Sequence, residues 1–302
     1  MKTNLKIKSK VLFYIKNLPI LTLLLIIVSC EEPEVLQDDF TDGIETNFSN
    51  ISNNCTIPSG NVISEIRNTI PFTNVELKSV ANIFISQGSE QSLRVEADDN
   101  LLPEITTVII NSSLVIDWTE NIECLFGAST INIYITAPEI NGLINSGVGN
   151  FNGQTLIESE NLELITKGIG DMDLNITGTN LKINSVGGIG KMNLNIEFYQ
   201  TLEIEESNAI MTYNLIGDIV NQNININNGI STYNGFSLIA DNSAINVLGD
   251  KSISTIKIFT SDILNVNLPP SPSPYYSPNR VFYRATPSIE YSGPDNGLIN
   301  AN

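Results

Sequence analysis

From about residue 70 onward the chain alternates apolar and polar residues in short bursts. Val75 and Leu77, Ile83 and Ile85, Leu93 and Val95, and Leu114 and Ile116 each keep apolar side chains two apart, which sets them on one face of an extended strand. Gln87-Gly88-Ser89 and Asp98-Asp99-Asn100 interrupt the bursts as turns. No window sustains a helical period, so the pattern predicts an all-β protein.

A longer period lies on top of the alternation. Gly147-Val148-Gly149 is followed by Gly168-Ile169-Gly170-Asp171-Met172 and by Gly188-Ile189-Gly190-Lys191-Met192. Asn208-Ala209-Ile210-Met211-Thr212-Tyr213-Asn214 is then matched by Asn228-Gly229-Ile230-Ser231-Thr232-Tyr233-Asn234. The starts at 147, 168, 188, 209, 229 and 249 step by 20 or 21 residues, the signature of stacked supersecondary units. Each unit holds strands too short to stand alone, and stacking lets neighbouring backbones pair at about 4.8 Å. The expected fold is a right-handed β-solenoid of about six coils. Met172, Leu174 and Ile176 should face inward above Met192, Leu194 and Ile196. Glycines should serve the corners. Asn208 and Asn228 suit left-handed corners, and Asn175 with Asn195 suits a side-chain amide ladder.

The units divide the β domain, residues 70–300, into a short-stranded antiparallel region over 70–140, repeat coils over 141–268, and a Pro-rich loop with a closing strand over 269–300. Pro269 to Pro278 is too proline-rich to join a ladder. Arg280-Val281-Phe282-Tyr283-Arg284 is expected to cover the last coil, because an open solenoid end would template further strands.

Residues 1–29 read differently. Lys2, Lys6, Lys8 and Lys10 precede an apolar run from Ile20 to Val28 that stops at Ser29-Cys30. A basic start, a short apolar core and a small residue at the cut make a secretory signal, too short for a span of roughly 20 apolar residues. Ile27-Val28-Ser29-Cys30 also fits a lipobox. Cys30 would then carry a diacylglycerol thioether and an N-acyl (palmitate-type) chain. Several chains anchor firmly, at about 0.8 kcal/mol per buried CH₂. The expected location is the outer membrane, at the cell surface or on its periplasmic face. Residues 30–69 are expected to form a disordered tether, and seven of the fifteen residues from 31 to 45 are acids.

Cleavage would leave 10 basic against 33 acidic residues, a net charge of −23. A surface that negative disfavours nucleic-acid backbones. Cys55 and Cys124 remain in a compartment that permits a disulfide, and their spacing leaves pairing open.

The chain resembles the putative auto-transporter adhesin head domain family, the so-called GIN domain. Phe72 to Leu77, Asn82 to Gly88 and Leu93 to Leu101 look like its opening strands, the Gly-x-Gly turns at 147, 168 and 188 like its core repeat, and Val281 to Ile289 like its closing strand. The likeness spans about residues 70–300. It implies an extracytoplasmic, solenoid-like domain with an adhesive role and no established catalytic residues. The glycine turn degrades after 190, so later coils are expected to be less regular. With no barrel-forming segment after residue 300, self-translocation is not expected.

The chain has no histidine, which removes the usual base for a serine or cysteine nucleophile and the commonest metal ligand. Asp171 and Asp173 share one strand face and form the only noted candidate for paired carboxylate chemistry on a polysaccharide; one coil on they become Lys191 and Asn193. Calcium is not expected, because the aspartates do not recur. Trp118 reads as packing. Tyr213 and Tyr233 occupy equivalent positions in consecutive coils. If they point outward with Tyr275 and Tyr276 they form a glycan-binding strip, and if inward they are core. The expected protein is a non-catalytic surface lipoprotein without cofactor or metal, held to the membrane by its lipid and contacting a glycan or surface protein. A carboxylate-dependent lyase or hydrolase and a purely structural envelope protein are the alternatives.

Overall fold

The computed structural model describes residues 55–127, 129–249, 251–270 and 278–301. The expected signal peptide, Cys30, most of the tether, and Tyr275 and Tyr276 lie outside the described residues. Residues 54–302 make one compact unit with its own continuous core and a Cys55–Cys124 disulfide inside it, Cα atoms 4.7 Å apart.

Among the described residues, seventeen strands follow one another with one 3₁₀ turn at Leu102–Glu104. The first eight are short: β1 (Val62–Ile66), β2 (Asn74–Leu77), β3 (Asn82–Gln87), β4 (Ser92–Asp98), β5 (Ile105–Ile110), β6 (Ser113–Trp118), β7 (Asn132–Ala137) and β8 (Gly142–Asn145). Six long bent strands come next: β9 (Phe151–Thr166), β10 (Met172–Val186), β11 (Ile189–Ser207), β12 (Ile210–Asn227), β13 (Ile230–Leu248) and β14 (Ile253–Asn267). β15 (Asn279–Arg284), β16 (Ser288–Ser292) and β17 (Leu298–Asn300) close the chain.

The long strands pair in parallel, each on the next, so the fold is a β-solenoid. The strands bend between two long walls that share an interior, and in β11 and β13 the inward parity changes twice, which sets Tyr199, Leu238 and Ala240 on a short inner face between the walls. Period-two alternation sends every second side chain inward, and parallel in-register pairing stacks like on like. In the first wall the stack is continuous: Ile133, Ile83, Phe151, Met172, Met192, Tyr213, Tyr233, Ile256 and Val281 are register neighbours in that order, and all are buried. The second wall matches it with Leu114, Val75, Leu143, Leu164, Ile183, Ile204, Ile224, Ile245 and Val266.

The corners explain the glycines. A Cβ at Gly168 would lie 1.9 Å from the Gly147 carbonyl oxygen, and one at Gly190 would lie 2.0 Å from that of Gly170. Stacked corners therefore approach too closely for a side chain. From Gly187 onward a left-handed residue makes the corner. Gly187, Asn208, Asn228 and Gly249 take the left-handed conformation at φ of 72, 54, 58 and 85°, leaving Ala209 and Met211 free to point inward and be buried. The loss of Gly-x-Gly at 208 and 228 is a change of corner that keeps the step, whereas the last coil is less regular, as expected: Ile230 pairs with Ile253 and the register between β13 and β14 shifts twice.

The start of the domain is more interwoven than the sequence suggested. β1–β4, β4–β7 and β5–β6 are antiparallel, as expected over 70–140. In the same stretch β2 lies parallel between β6 and β8, and β3 parallel between β7 and β9. These are already solenoid coils, and β4 and β5 fold back over the exposed end. Order also begins within the stretch expected to be tether, because β1 pairs with β4 before residue 69. At the other end β15 covers the first half of β14 and β16 the second, with β17 added to β15.

Candidate binding face

Tyr213 and Tyr233 are not surface groups. Both are almost wholly buried, their ring centroids 6.3 Å apart, because they continue the inward column of Met172 and Met192. A ligand-contact role for these two is therefore corrected to a core role. Their hydroxyls hold an interior polar track. The Tyr213 hydroxyl lies 2.9 Å from Glu206 Oε2 and 3.0 Å from Ser185 Oγ, and Thr166 bonds Ser185 from the coil before. Ser231 donates to the other Glu206 oxygen. Tyr233 donates to Gln222 Oε1 at 2.7 Å, and Gln222 Nε2 to Ser243 Oγ at 2.7 Å. Burial pushes the Glu206 carboxyl up to about 7, against which the Ser231 and Tyr213 hydrogen bonds pull it down. Burial also raises both tyrosine hydroxyls, further opposed in ionising at Tyr213 by the Glu206 charge.

The outward rows of the first wall are where this chain meets solvent with ordered chemistry. One row runs Arg94, Tyr134, Phe84, Asn152, Asp173, Asn193, Asn214, Asn234, each the register neighbour of the next. Phe84 and Tyr134 stack with centroids 4.9 Å apart and planes 14° from parallel. The Arg94 guanidinium sits 3.8 Å over the Tyr134 ring and 3.0 Å from Glu96. Farther along, Asn193 Nδ2 donates to Asp173 Oδ1, Asn214 to Asn193 at 2.7 Å, and Asn234 to Asn214 at 2.8 Å. Asn195 donates to Asn175 alongside, at 3.1 Å. An open depression of about 380 Å³ lies over Gly153, Asp173, Asn175, Asn193, Asn195 and Asn214. A larger open hollow of about 830 Å³ near the last coils is lined by Leu248, Leu268 and three prolines, with Asn267, Ser292, Asp295 and Asn296 as its polar side chains.

Asp171 and Asp173 do share this face, but as parts of ladders. Asp173 terminates the amide row, and Asp171 Oδ1 accepts the Lys191 backbone N–H at 2.8 Å. Among the described residues no cluster of His, Cys, Asp and Glu could hold a metal, and no helix is long and apolar enough to cross a membrane. Trp118 is partly buried against the core. Cys55 and Cys124 are joined at the start of the unit, next to the Thr56–Leu125 bridge. The Phe84–Tyr134–Arg94 group was missed from sequence, because β3, β4 and β7 are brought side by side only by the interwoven start.

The sequence pattern described as "Putative auto-transporter adhesin, head GIN domain" matches residues 71–272. The chain belongs to this family. Solved structures similar to this GIN domain include a putative adhesin from Parabacteroides merdae, at 13% identity and a TM-score of 0.62, covering 79% of this chain and 95% of that one. A putative adhesin from Bacteroides fragilis shows 18% identity and a TM-score of 0.58 over 81% and 98%. A protein from Parabacteroides distasonis described as a putative lipid binding protein shows 16% identity and a TM-score of 0.63, again over 81% and 98%. At these identities the likeness is one of fold. No curated protein sequence matches the chain.

Proposed function

We propose that this GIN domain is a non-catalytic surface-binding module that holds a neutral glycan chain along the first wall. The observation that carries the reading is the single outward row in which the Phe84–Tyr134 stack runs into the Asp173–Asn193–Asn214–Asn234 amide ladder. An asparagine side chain has two N–H donors and two acceptor lone pairs. The ladder uses one of each at its middle rungs, leaving one donor and one acceptor per rung for sugar hydroxyls at a regular spacing of about 4.8 Å. Phe84 and Arg94 take the two faces of Tyr134, so the stack offers its apolar ring edges to one sugar ring. The formal net charge of −18 disfavours acidic polymers and leaves neutral ones.

The interior columns fill the space between the walls, so the ligand lies outside the solenoid, and the same holds for any lipid contact of the kind named for the P. distasonis protein. The lipobox at Cys30 supports display of the module on a lipid anchor at the outer membrane. The test is binding of the full chain to arrays of neutral and acidic glycans, alone and as Phe84→Ala/Tyr134→Ala and Asn193→Ala/Asn214→Ala variants. Retention on neutral glycans, weakened tenfold or more by either pair, is the expected result. Equal binding by wild type and both variants, or a preference for acidic polymers, overturns it. Acyl labelling in cells that express the full chain, lost in Cys30→Ala, reads the anchor.

A further inference from the structure

One outward residue at or just after each corner has no role in the core. Val80, Val148, Ile169, Ile189, Ile210, Ile230 and Ile253 are register neighbours in that order, and each is 41–51% exposed. They form one straight stripe of β-branched side chains along seven coils, about 29 Å long at the strand spacing. Val148, Ile169 and Ile189 stand between glycines on both sides, so the stripe projects as a ridge. A monomer rarely exposes a continuous apolar patch of this length without a use for it.

We propose that this ridge is the contact by which two copies of the chain associate side by side. Three observations favour a second copy as the occupant. The rungs repeat at the strand spacing, and only a partner with the same repeat can seat a side chain in every gap; this chain carries that repeat. All seven rungs are valine or isoleucine, which hold one side-chain rotamer stiffly. Rigid rungs suit interdigitation with a protein, whereas a bilayer surface favours aromatic and long flexible groups, and the ridge has none. The area is also sufficient. The seven side chains expose on the order of 500 Å² per copy, and the neighbouring Thr212, Thr232 and Thr255 row brings the contact toward the roughly 800 Å² per partner of a stable interface. Within two positions of a rung stand one acid, Asp171, and four bases, Lys78, Lys167, Lys191 and Lys251, among otherwise neutral residues. Two acidic molecules can therefore approach here without setting carboxylates against one another.

The ridge stands four residues before the amide row on the same strands, with the Thr212–Thr232 row between them, and the proposal does not depend on the glycan reading. Its test is sedimentation of the self-contained unit, residues 54–302, over a range of concentration and salt. A dimer that tightens as salt rises is expected, because the contact is apolar and the copies carry like charge. Ile189→Lys/Ile210→Lys should sediment as a monomer with an unchanged melting temperature, the substituted side chains being exposed in the folded unit. Ile189→Cys, at the centre of the row, should cross-link two copies under mild oxidation. A wild-type monomer under all conditions overturns the proposal. So does a dimer that persists in the double-lysine variant, or flotation of the unit on phosphatidylethanolamine vesicles that the same variant abolishes.

Discussion

At the residue scale the least expected group is Glu206, a carboxyl sealed inside a solenoid beside Tyr213 and Ser231. Its site favours the protonated form, because burial penalises the charge and, among the described residues, no cation lies against it. The folded chain therefore binds this proton more tightly than the unfolded chain. Stability from Glu206 is full below about pH 4.5 and is lost as pH rises to about 7, with a span of about 3 kcal/mol. Glu96 works in the opposite sense and at more acid pH. The Asn132 amide, with Arg94 beside it, holds its carboxyl below the usual range, so its contribution is lost on acidification. Denaturant melts between pH 4.5 and 8 should show stability falling with pH in the wild type and flat in Glu206→Gln. A wild-type profile that rises across this window contradicts the assignment.

The corner glycines make a second residue-scale case. Gly168 has no room for a Cβ against the Gly147 carbonyl, so Gly168→Ala should cost about 1–3 kcal/mol by forcing two coils apart. Gly187 has open space and a left-handed φ of 72°. Asparagine already fills the equivalent corner at 208 and 228, so Gly187→Asn should cost much less. Urea denaturation of the two variants compares them directly, and equal losses would contradict the corner geometry.

At the scale of elements, the strands were legible where the alternation and the repeat agreed. Met172, Leu174 and Ile176 do lie inward beside Met192, Leu194 and Ile196, as the repeat implied. The direction of Tyr213 and Tyr233 was legible too. Aligning Asn193 with Asn214 places Tyr213 beside Met192, on the buried parity of the strand. Aromatic residues two apart from other apolar side chains then belong to the column. The asparagines split into both of their expected roles, with 208 and 228 at left-handed corners and 175 and 195 in a ladder. What stayed hidden was non-local. β2 and β3 pair with strands on both sides of them in space but later in sequence, and no local pattern records a detour through β4 and β5. The first corner, at Val80, was hidden as well, because Ser79 and Ala81 stand where later corners carry glycine. The chain thus makes one more corner than the sequence repeat displays.

At the scale of the whole molecule, one arrangement makes three different surfaces from a single repeat. Parallel register turns each position of the coil into a line: an apolar column inside, an amide row on the first wall, and an aliphatic ridge along the corner. A glycan contact and a self-contact can then coexist on different lines of one rod. Both depend on neighbouring coils keeping register over their full length. The most direct measurement of that register is oxidative cross-linking of cysteine pairs on the outward amide row of residues 54–302. Asn193→Cys/Asn214→Cys places thiols on adjacent coils about 4.8 Å apart, within disulfide reach, whereas Asn193→Cys/Asn234→Cys sets them two coils apart. Rapid intramolecular closure of the first pair and none of the second is predicted. Closure of the second pair, or failure of the first in a folded protein, would contradict the stacked-coil account.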